Sequence, residues 1–335
     1  MTIDAPHRHG RQSHDTPAVA RAAGVVVALT LAIALLAVAF ALPAVKSAPR
    51  DVPIGVAGPA PALTQITDRI GGAAPGAFAV TVYSGEGELR QAILDRKAYG
   101  GIAVGPQGPV LLVATGGSPA IATMLEQLGA GMSKATGMAL RTEDLAPLPT
   151  GDPRGVGVAA SALPITLAGI VPAIVLTLVL GGAGWGRLAT ALVFAPVAGV
   201  SIAALLRFVF GSVEQDFWGV AGALSLGIAA ALLLILGLGS LFGRVGLGVG
   251  AGLAVLVGNP LSGLASAPEM LPTPWGTVGQ LLPQGATATL LRSAAYFSGA
   301  GGTAAIVVLT CWSAAGAAMV AVAALRHAKA PAHLT

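Results

Sequence analysis

The side chains able to do chemistry are few in this chain and poorly placed for it. All five histidines, His7, His9, His14, His327 and His333, fall in the terminal tails. None can join a Ser-His-Asp or Cys-His site in the body of the protein. The first three could hold a metal weakly, but the polar, aperiodic segment around them reads as a solvated tail. The single cysteine, Cys311, lies inside the last apolar run and cannot form an intramolecular disulfide. No lysine follows a glycine, so there is no G-x-x-x-x-G-K-[ST] phosphate loop, and the chain cannot be its own P-loop ATPase. The acidic groups Glu143-Asp144 and Glu86/Glu88 read as solvated charges or helix N-terminal charges. The expectation is a protein that is not an enzyme, with no cofactor and no metal site.

What remains as pattern is glycine and proline. The run Gly243–Gly252 reads Gly-Arg-Val-Gly-Leu-Gly-Val-Gly-Ala-Gly. It lacks the full G-x-G-x-x-G of a dinucleotide loop and opens an apolar span. The pairs Gly246/Gly250 and Gly248/Gly252 instead have the small-xxx-small spacing of closely packed membrane helices. Gly182 and Gly186 share that spacing but flank a turn. Pro164, Pro172, Pro196 and Pro260 fall in or at the end of apolar spans. They read either as packing kinks satisfied by neighbours or as hinges of a moving pathway.

The elements that carry these residues are set by composition. Of 335 residues, 55% are hydrophobic and 10% are charged, against about 25% charged in ordinary soluble domains. Too little polar surface is left to cover a soluble globule, and disorder fails because the apolar content is too high. The net charge of +4 comes from dispersed basic residues, so no nucleic-acid face is expected.

Apolar runs cover 22–42, 163–180, 188–210, 217–242, 245–258 and 303–325. The first would form a helix of roughly 32 Å, enough for a hydrocarbon core of about 30 Å. It exceeds the about 7–15 apolar residues of a cleaved signal peptide, so it reads as an uncleaved anchor. Residues 46–160 hold nine Lys/Arg and nine Asp/Glu, more than half of all charge. Short runs at 54–57, 78–83, 101–104 and 110–114 read as strands, and 61–70, 86–99 and 119–140 as helices. The predicted order is βαβαββα, a small α/β domain, closed by a Pro/Gly-rich linker at 145–157.

The predicted fold is therefore an α-helical polytopic membrane protein with six transmembrane helices. A small extracytoplasmic α/β domain is inserted between helices 1 and 2. In order, the parts are a basic tail (1–21), the first span (22–45), the α/β domain (46–160), a five-helix membrane domain (161–325) and a second tail (326–335). Within the membrane domain, 259–302 is expected to form an external segment of amphipathic helices lying in or dipping into the outer leaflet. Orientation follows from Arg8, Arg11, Arg21, Arg187, Arg244, Arg326 and Lys329 on one side, against Arg292 in the opposite short loops. Both termini are expected in the cytoplasm, and the protein in the plasma membrane. No carboxylate lies mid-span, which disfavours ion-coupled transport.

This arrangement resembles the ABC-2 type permease family, in its YhgE/Pip-like branch. The residues that carry the resemblance begin with Leu89–Pro106, Leu-Arg-Gln-Ala-Ile-Leu-Asp-Arg-Lys-Ala-Tyr-Gly-Gly-Ile-Ala-Val-Gly-Pro. Leu148–Gly155 followed by Leu163-Pro164 is similar to the segment that returns such chains to the membrane. Asn259–Gly263, Leu271-Pro272, Leu282-Pro283 and Arg292–Gly299 are similar to the external segment before the final span. The resemblance implies one half of an exporter, with a homodimer forming the pathway and a separate ATP-binding subunit driving it. Apolar spans point to lipid-like or envelope-related cargo. One departure stands out: Gly181–Arg187 is too short for the cytoplasmic coupling helix of that family, allowing about two turns at most. The alternative is a non-transporting membrane protein whose external domain binds a partner or envelope component.

Overall fold

A computed structural model describes residues 18–137, 139–181, 184–264 and 266–329. The histidine-bearing tail before residue 18, Gly182 and residues 330–335 lie outside the described residues. The chain opens with α1 (Ala18–Val45), an apolar helix in which no residue is buried. Lipid is the natural solvent for such a helix, whose apolar side chains point outward along its whole length.

The polar stretch that follows folds into a five-stranded sheet. Its elements are β1 (Val52–Ala57), α2 (Ala60–Ala73), β2 (Phe78–Tyr83), α3 (Glu86–Leu94), β3 (Gly100–Gly105), β4 (Gly108–Val113), α4 (Pro119–Thr136) and β5 (Arg141–Asp144). The strand order is β2-β1-β3-β4-β5. All neighbours are parallel except the β3–β4 hairpin. Strand periodicity of two divides the core. Leu111 and Val113 face α2 and α4 with Ile66, Ile70, Ile121 and Leu125, while Val110 and Leu112 face α3 with Leu89 and Ile93.

Three expectations change here, one being the helix over 119–140, which ends at Thr136 as Gly137 turns left-handed at φ 68°. The helix expected over 86–99 ends at Leu94, because Arg96 adopts a left-handed φ of 60°. The Lys97 N–H then bonds back to Ala92 and the Arg96 N–H to Ile93, closing the helix in a Schellman arrangement. The fifth strand, Arg-Thr-Glu-Asp, has no apolar alternation and was absent from the expected order. Side-chain bonds fix it instead. Arg90 grips Glu143 with two 2.6 Å bonds, and Asp144 accepts from the Thr115 and Ala146 N–H groups.

The chain returns to the apolar block through α5 (Val156–Ala160) and α6 (Ala162–Val179). It continues with α7 (Gly184–Ala204), prolonged by a π turn at Leu205–Val209, and α8 (Phe217–Leu253), prolonged by another at Ala254–Gly258. After an irregular stretch come α9 (Trp275–Gln280), α10 (Pro283–Tyr296) and α11 (Thr303–Lys329). Among the described residues, five helical stretches are long and apolar enough to cross a membrane. The one spanning Phe217–Gly258, 42 residues, is not a straight rod. Gly243 has φ 62° and ψ −142°, a conformation that only glycine adopts without strain. Beyond it the chain doubles back. A Cβ on Gly246 would strike the Leu238 carbonyl, and one on Gly250 would sit 3.3 Å from Ile235 Cα.

The first arm of α8 is the hub of the block, with α6, α7, α10 and α11 packed around it. Glycines bring the axes close. Gly169 faces Ala231, Gly199 faces Ser225, and Gly316 lies against the Leu233 backbone. Without a hydrophobic drive between helices in lipid, such close approach is what holds them.

Both helices expected in the external segment form, but α10 does not lie on the membrane surface. Twelve of its residues, Pro283–Ala288 and Leu290–Ala295, are buried. Small side chains let it enter the bundle, where Thr287 sits over Gly227 and Gln284 over Gly258.

Candidate functional site

The α/β domain is seated on the apolar helical block through the segment before α11. Ala267 and Met270 complete one face of the sheet core, and Phe297 completes the other. Arg50 Nη1 donates to the Ala48 and Met270 carbonyls and Nη2 to the Lys46 carbonyl, tying the end of α1 to that segment. Arg292 is buried in α10 and donates to Gly263 O at 2.8 Å and Leu264 O at 2.5 Å. It thereby satisfies carbonyls of a non-helical stretch, which membrane-depth backbone requires. Asp152 accepts from the Val156 and Gly157 N–H groups, both at 2.8 Å, and so starts α5.

Between domain and block lies a cavity of about 550 Å³, within the usual size of ligand sites, about 300–1,000 Å³. Its domain side carries Arg50, Asp51, Arg96 and Tyr99, its floor Glu269, Gln280 and Thr289, and its membrane side Leu281, Ala304 and Val308. Each polar group is held by its own element. Arg96 occupies the left-handed position that ends α3, where glycine is the ordinary residue. Its Nη1 donates to Thr289 O at 2.9 Å and Ser293 Oγ at 2.5 Å, and its guanidinium lies 5.3 Å from the Phe297 ring centre. Tyr99 donates to Glu269 Oε2 at 2.7 Å.

Burial, with the Glu269 charge beside it, pushes the Tyr99 phenol far above its ordinary value, so Tyr99 stays a donor. Burial pulls the Arg96 guanidinium down, opposed by Tyr99 and Glu269. Among the described residues, the only ion pairs within 4 Å are Arg90 with Glu86 and Glu143, and Lys97 with Asp95. Arg50, Arg96, Asp51 and Glu269 thus face one cavity without pairing with one another. No group of three or more His, Cys, Asp or Glu side chains placed to hold a metal ion occurs among the described residues.

The residues singled out by sequence lie elsewhere. Gly246 and Gly250 do pack closely, against the first arm of their own helix, while Gly248 and Gly252 have nothing within 4 Å. Pro164 is in the first turn of α6, where its missing N–H leaves no helical bond unmade. Pro172 and Pro196 interrupt the ladders of α6 and α7 without ending the helices. Pro260 follows the π turn and leads into the irregular stretch. None of the eight lines the cavity. Glu143 and Asp144 fasten β5, and Glu88 accepts from the Ser84 N–H and hydroxyl at the start of α3. The cavity residues were not singled out, because they are scattered from Arg50 to Val308 and share no spacing. A basic residue at a helix terminus where glycine is favoured, Arg96 after Leu94-Asp95, is the one local signal they offer. No family model, curated protein or solved structure matches the chain.

Proposed function

We propose that the chain is the membrane subunit of an exporter for amphiphilic, envelope-related cargo, driven by a separate ATP-binding subunit, with the junction cavity as its outer cargo station. One observation carries this reading: one cavity is lined both by polar side chains of the α/β domain and by apolar residues near the start of α11. In this reading the chain crosses the plasma membrane six times, the doubled-back arm after Gly243 being the fifth crossing. Both termini are cytoplasmic and the α/β domain is outside. The basic residues Arg187 and Arg244, beside the two tight turns opposite the domain, support that orientation, as does the resemblance to ABC-2 type permeases. Two copies would form the pathway. The test is co-purification of the full chain from native membranes in mild detergent, together with envelope-lipid analysis of a deletion strain. An ATPase subunit in the complex and cargo retained inside the deletion strain are expected. Absence of both overturns the reading.

A second reading has its own observation. The α6–α7 connection is confined to residues 180–183, and the α8 arms are joined by Gly243 alone, which leaves an ATPase little to grip. On that reading the protein binds an envelope component at the same cavity and transports nothing. Deleting residues 55–145 would then abolish the deletion phenotype's complementation, while no ATPase would ever co-purify.

A further inference from the structure

The lining of the junction cavity carries charges of both signs that form no ion pair within 4 Å among the described residues. Arg96 lines the cavity and uses only Nη1 for hydrogen bonds among the described residues, leaving Nε and Nη2 without a partner there. Arg50 spends its donors on backbone carbonyls and keeps an unpaired charge. Glu269 and Asp51 supply the opposite sign on the same walls. Glu269 is held in place by the Tyr99 hydroxyl, which occupies Oε2 and leaves the other oxygen without a hydrogen-bond partner among the described residues. A plain anion placed here meets two carboxylates, and a plain cation meets two guanidiniums, so each is opposed by like charge. A group carrying a phosphate and an ammonium a few bonds apart is opposed by neither. The phosphate suits the planar donor edge of Arg96, and a primary ammonium can donate to Glu269.

The apolar side of the cavity specifies the remainder of the ligand. Leu281 is 58% exposed, Ala304 is exposed, and Val308 lies five residues into α11, about 8 Å along it. Together they form a lipid-facing ramp beside the polar walls. Trp312 bonds its Nε1–H to Leu281 O at 2.8 Å and holds that ramp to the last span. An acyl or prenyl chain can lie over it while the head stays in the cavity.

We propose that the junction cavity binds an outer-leaflet amphiphile with a zwitterionic headgroup, a phosphate at Arg96 and a primary ammonium at Glu269. The proposal rests on the cavity being the cargo station of the preceding section, and it narrows the cargo class. Full-length protein in detergent would be titrated with phosphatidylethanolamine, phosphatidylcholine and phosphatidylglycerol of identical chains, and retained lipid read by native mass spectrometry. Phosphatidylethanolamine is expected to bind about tenfold tighter than the other two, the effect of one charge-assisted hydrogen bond at 1.4 kcal/mol per decade. Glu269→Gln keeps an acceptor for Tyr99 and is expected to remove that preference. Equal binding of all three lipids, or a preference for phosphatidylglycerol, overturns the proposal. So does soluble phosphoethanolamine competing as well as the lipid, because the apolar ramp would then contribute nothing. If selective binding is found but no ATPase accompanies the chain and no lipid moves, the export reading fails and this one stands.

Discussion

The α/β domain and the apolar helical block solve the same packing problem by different means. In the domain, large apolar side chains such as Ile54, Leu89, Ile93 and Leu112 leave water almost completely, and that transfer drives folding. Polar ties such as Arg90–Glu143 then secure the sheet edge. In the block, large side chains such as Leu178, Val179, Phe208 and Val245 point outward, and although Leu224, Ile228 and Leu232 are buried, the closest helix contacts run through glycine, alanine and serine. Lipid offers no reward for hiding a leucine from it, so backbone proximity decides. The domain should therefore be tolerant of added volume at its glycine-free surface and sensitive to lost volume in its core. The block should behave the other way.

The sharpest break of that contrast is Gly316→Leu. A Cβ there meets the backbone of Leu233 and Leu234 rather than a movable side chain. Overpacking against backbone is expected to cost about 3 kcal/mol or more, read as loss of the monodisperse peak in detergent. Gly248→Leu is the matched control, because nothing lies within 4 Å of that site. It should change the thermal midpoint little, within about 0.5 kcal/mol. If the two variants behave alike, close helix packing is not what holds the block.

Arg292→Leu comes next. It removes a buried guanidinium but strands the Gly263 and Leu264 carbonyls in a region that water cannot reach. A loss of about 2 kcal/mol is expected from the unsatisfied acceptors, seen as a lower thermal midpoint of the full chain. A neutral result would mean that the irregular stretch is held by other contacts.

Arg96→Gly tests the seam between the two regions. Glycine suits the left-handed turn better than arginine, by about 1 kcal/mol. The variant also gives up the bonds to Thr289 and Ser293 and the contact with Phe297. A net loss near 1 kcal/mol is expected, and it should concentrate at the seam. Limited proteolysis in the 145–157 linker should quicken while the sheet stays folded. A more stable variant with an unchanged digest would show that the arginine does not dock the domain.

How much of this was legible in the sequence follows the same divide. Apolar runs of membrane-spanning length declared themselves, as did the first four strands, because lipid and a sheet buried on both faces each demand apolar runs of a set length. The β5 strand did not, since its place is set by Arg90, fifty-three residues away from Glu143. The burial of α10 was also hidden. Its Gly-Ala-Thr-Ala-Thr run looks mildly amphipathic, and only the facing Gly227 and Gly258 show that it enters the bundle. Gly246 and Gly248 are indistinguishable by spacing, yet the reversal at Gly243 turns one inward and leaves the other in open space. The cavity was least legible, because its walls come from six separate stretches between Arg50 and Val308, brought together only by the docking of domain on block.

The smallest expected effect is that of pH, and it should fall on the domain alone. Hydrogen bonds from Arg90 hold the Glu143 carboxyl below its ordinary value of 4.5, and those from Ser84 do the same for Glu88. A carboxylate whose folded pKa is depressed contributes stability that is fully present above the unfolded value. That contribution is lost as the pH falls through the lower folded one. Between pH 8 and 5 nothing should change, and below about 4 the domain should loosen. Both groups lie near the surface, so solvent screening keeps the effect small. Proteolysis of the full chain by an acid-active protease would read it, with cuts expected in the β4–β5 region before any in the spans. Arg90→Met should flatten that acid dependence by removing the cation that depresses Glu143. The block has no carboxylate within its long helices and should show no such transition. An acid-induced loosening that begins in the spans would contradict the division of labour between the two regions.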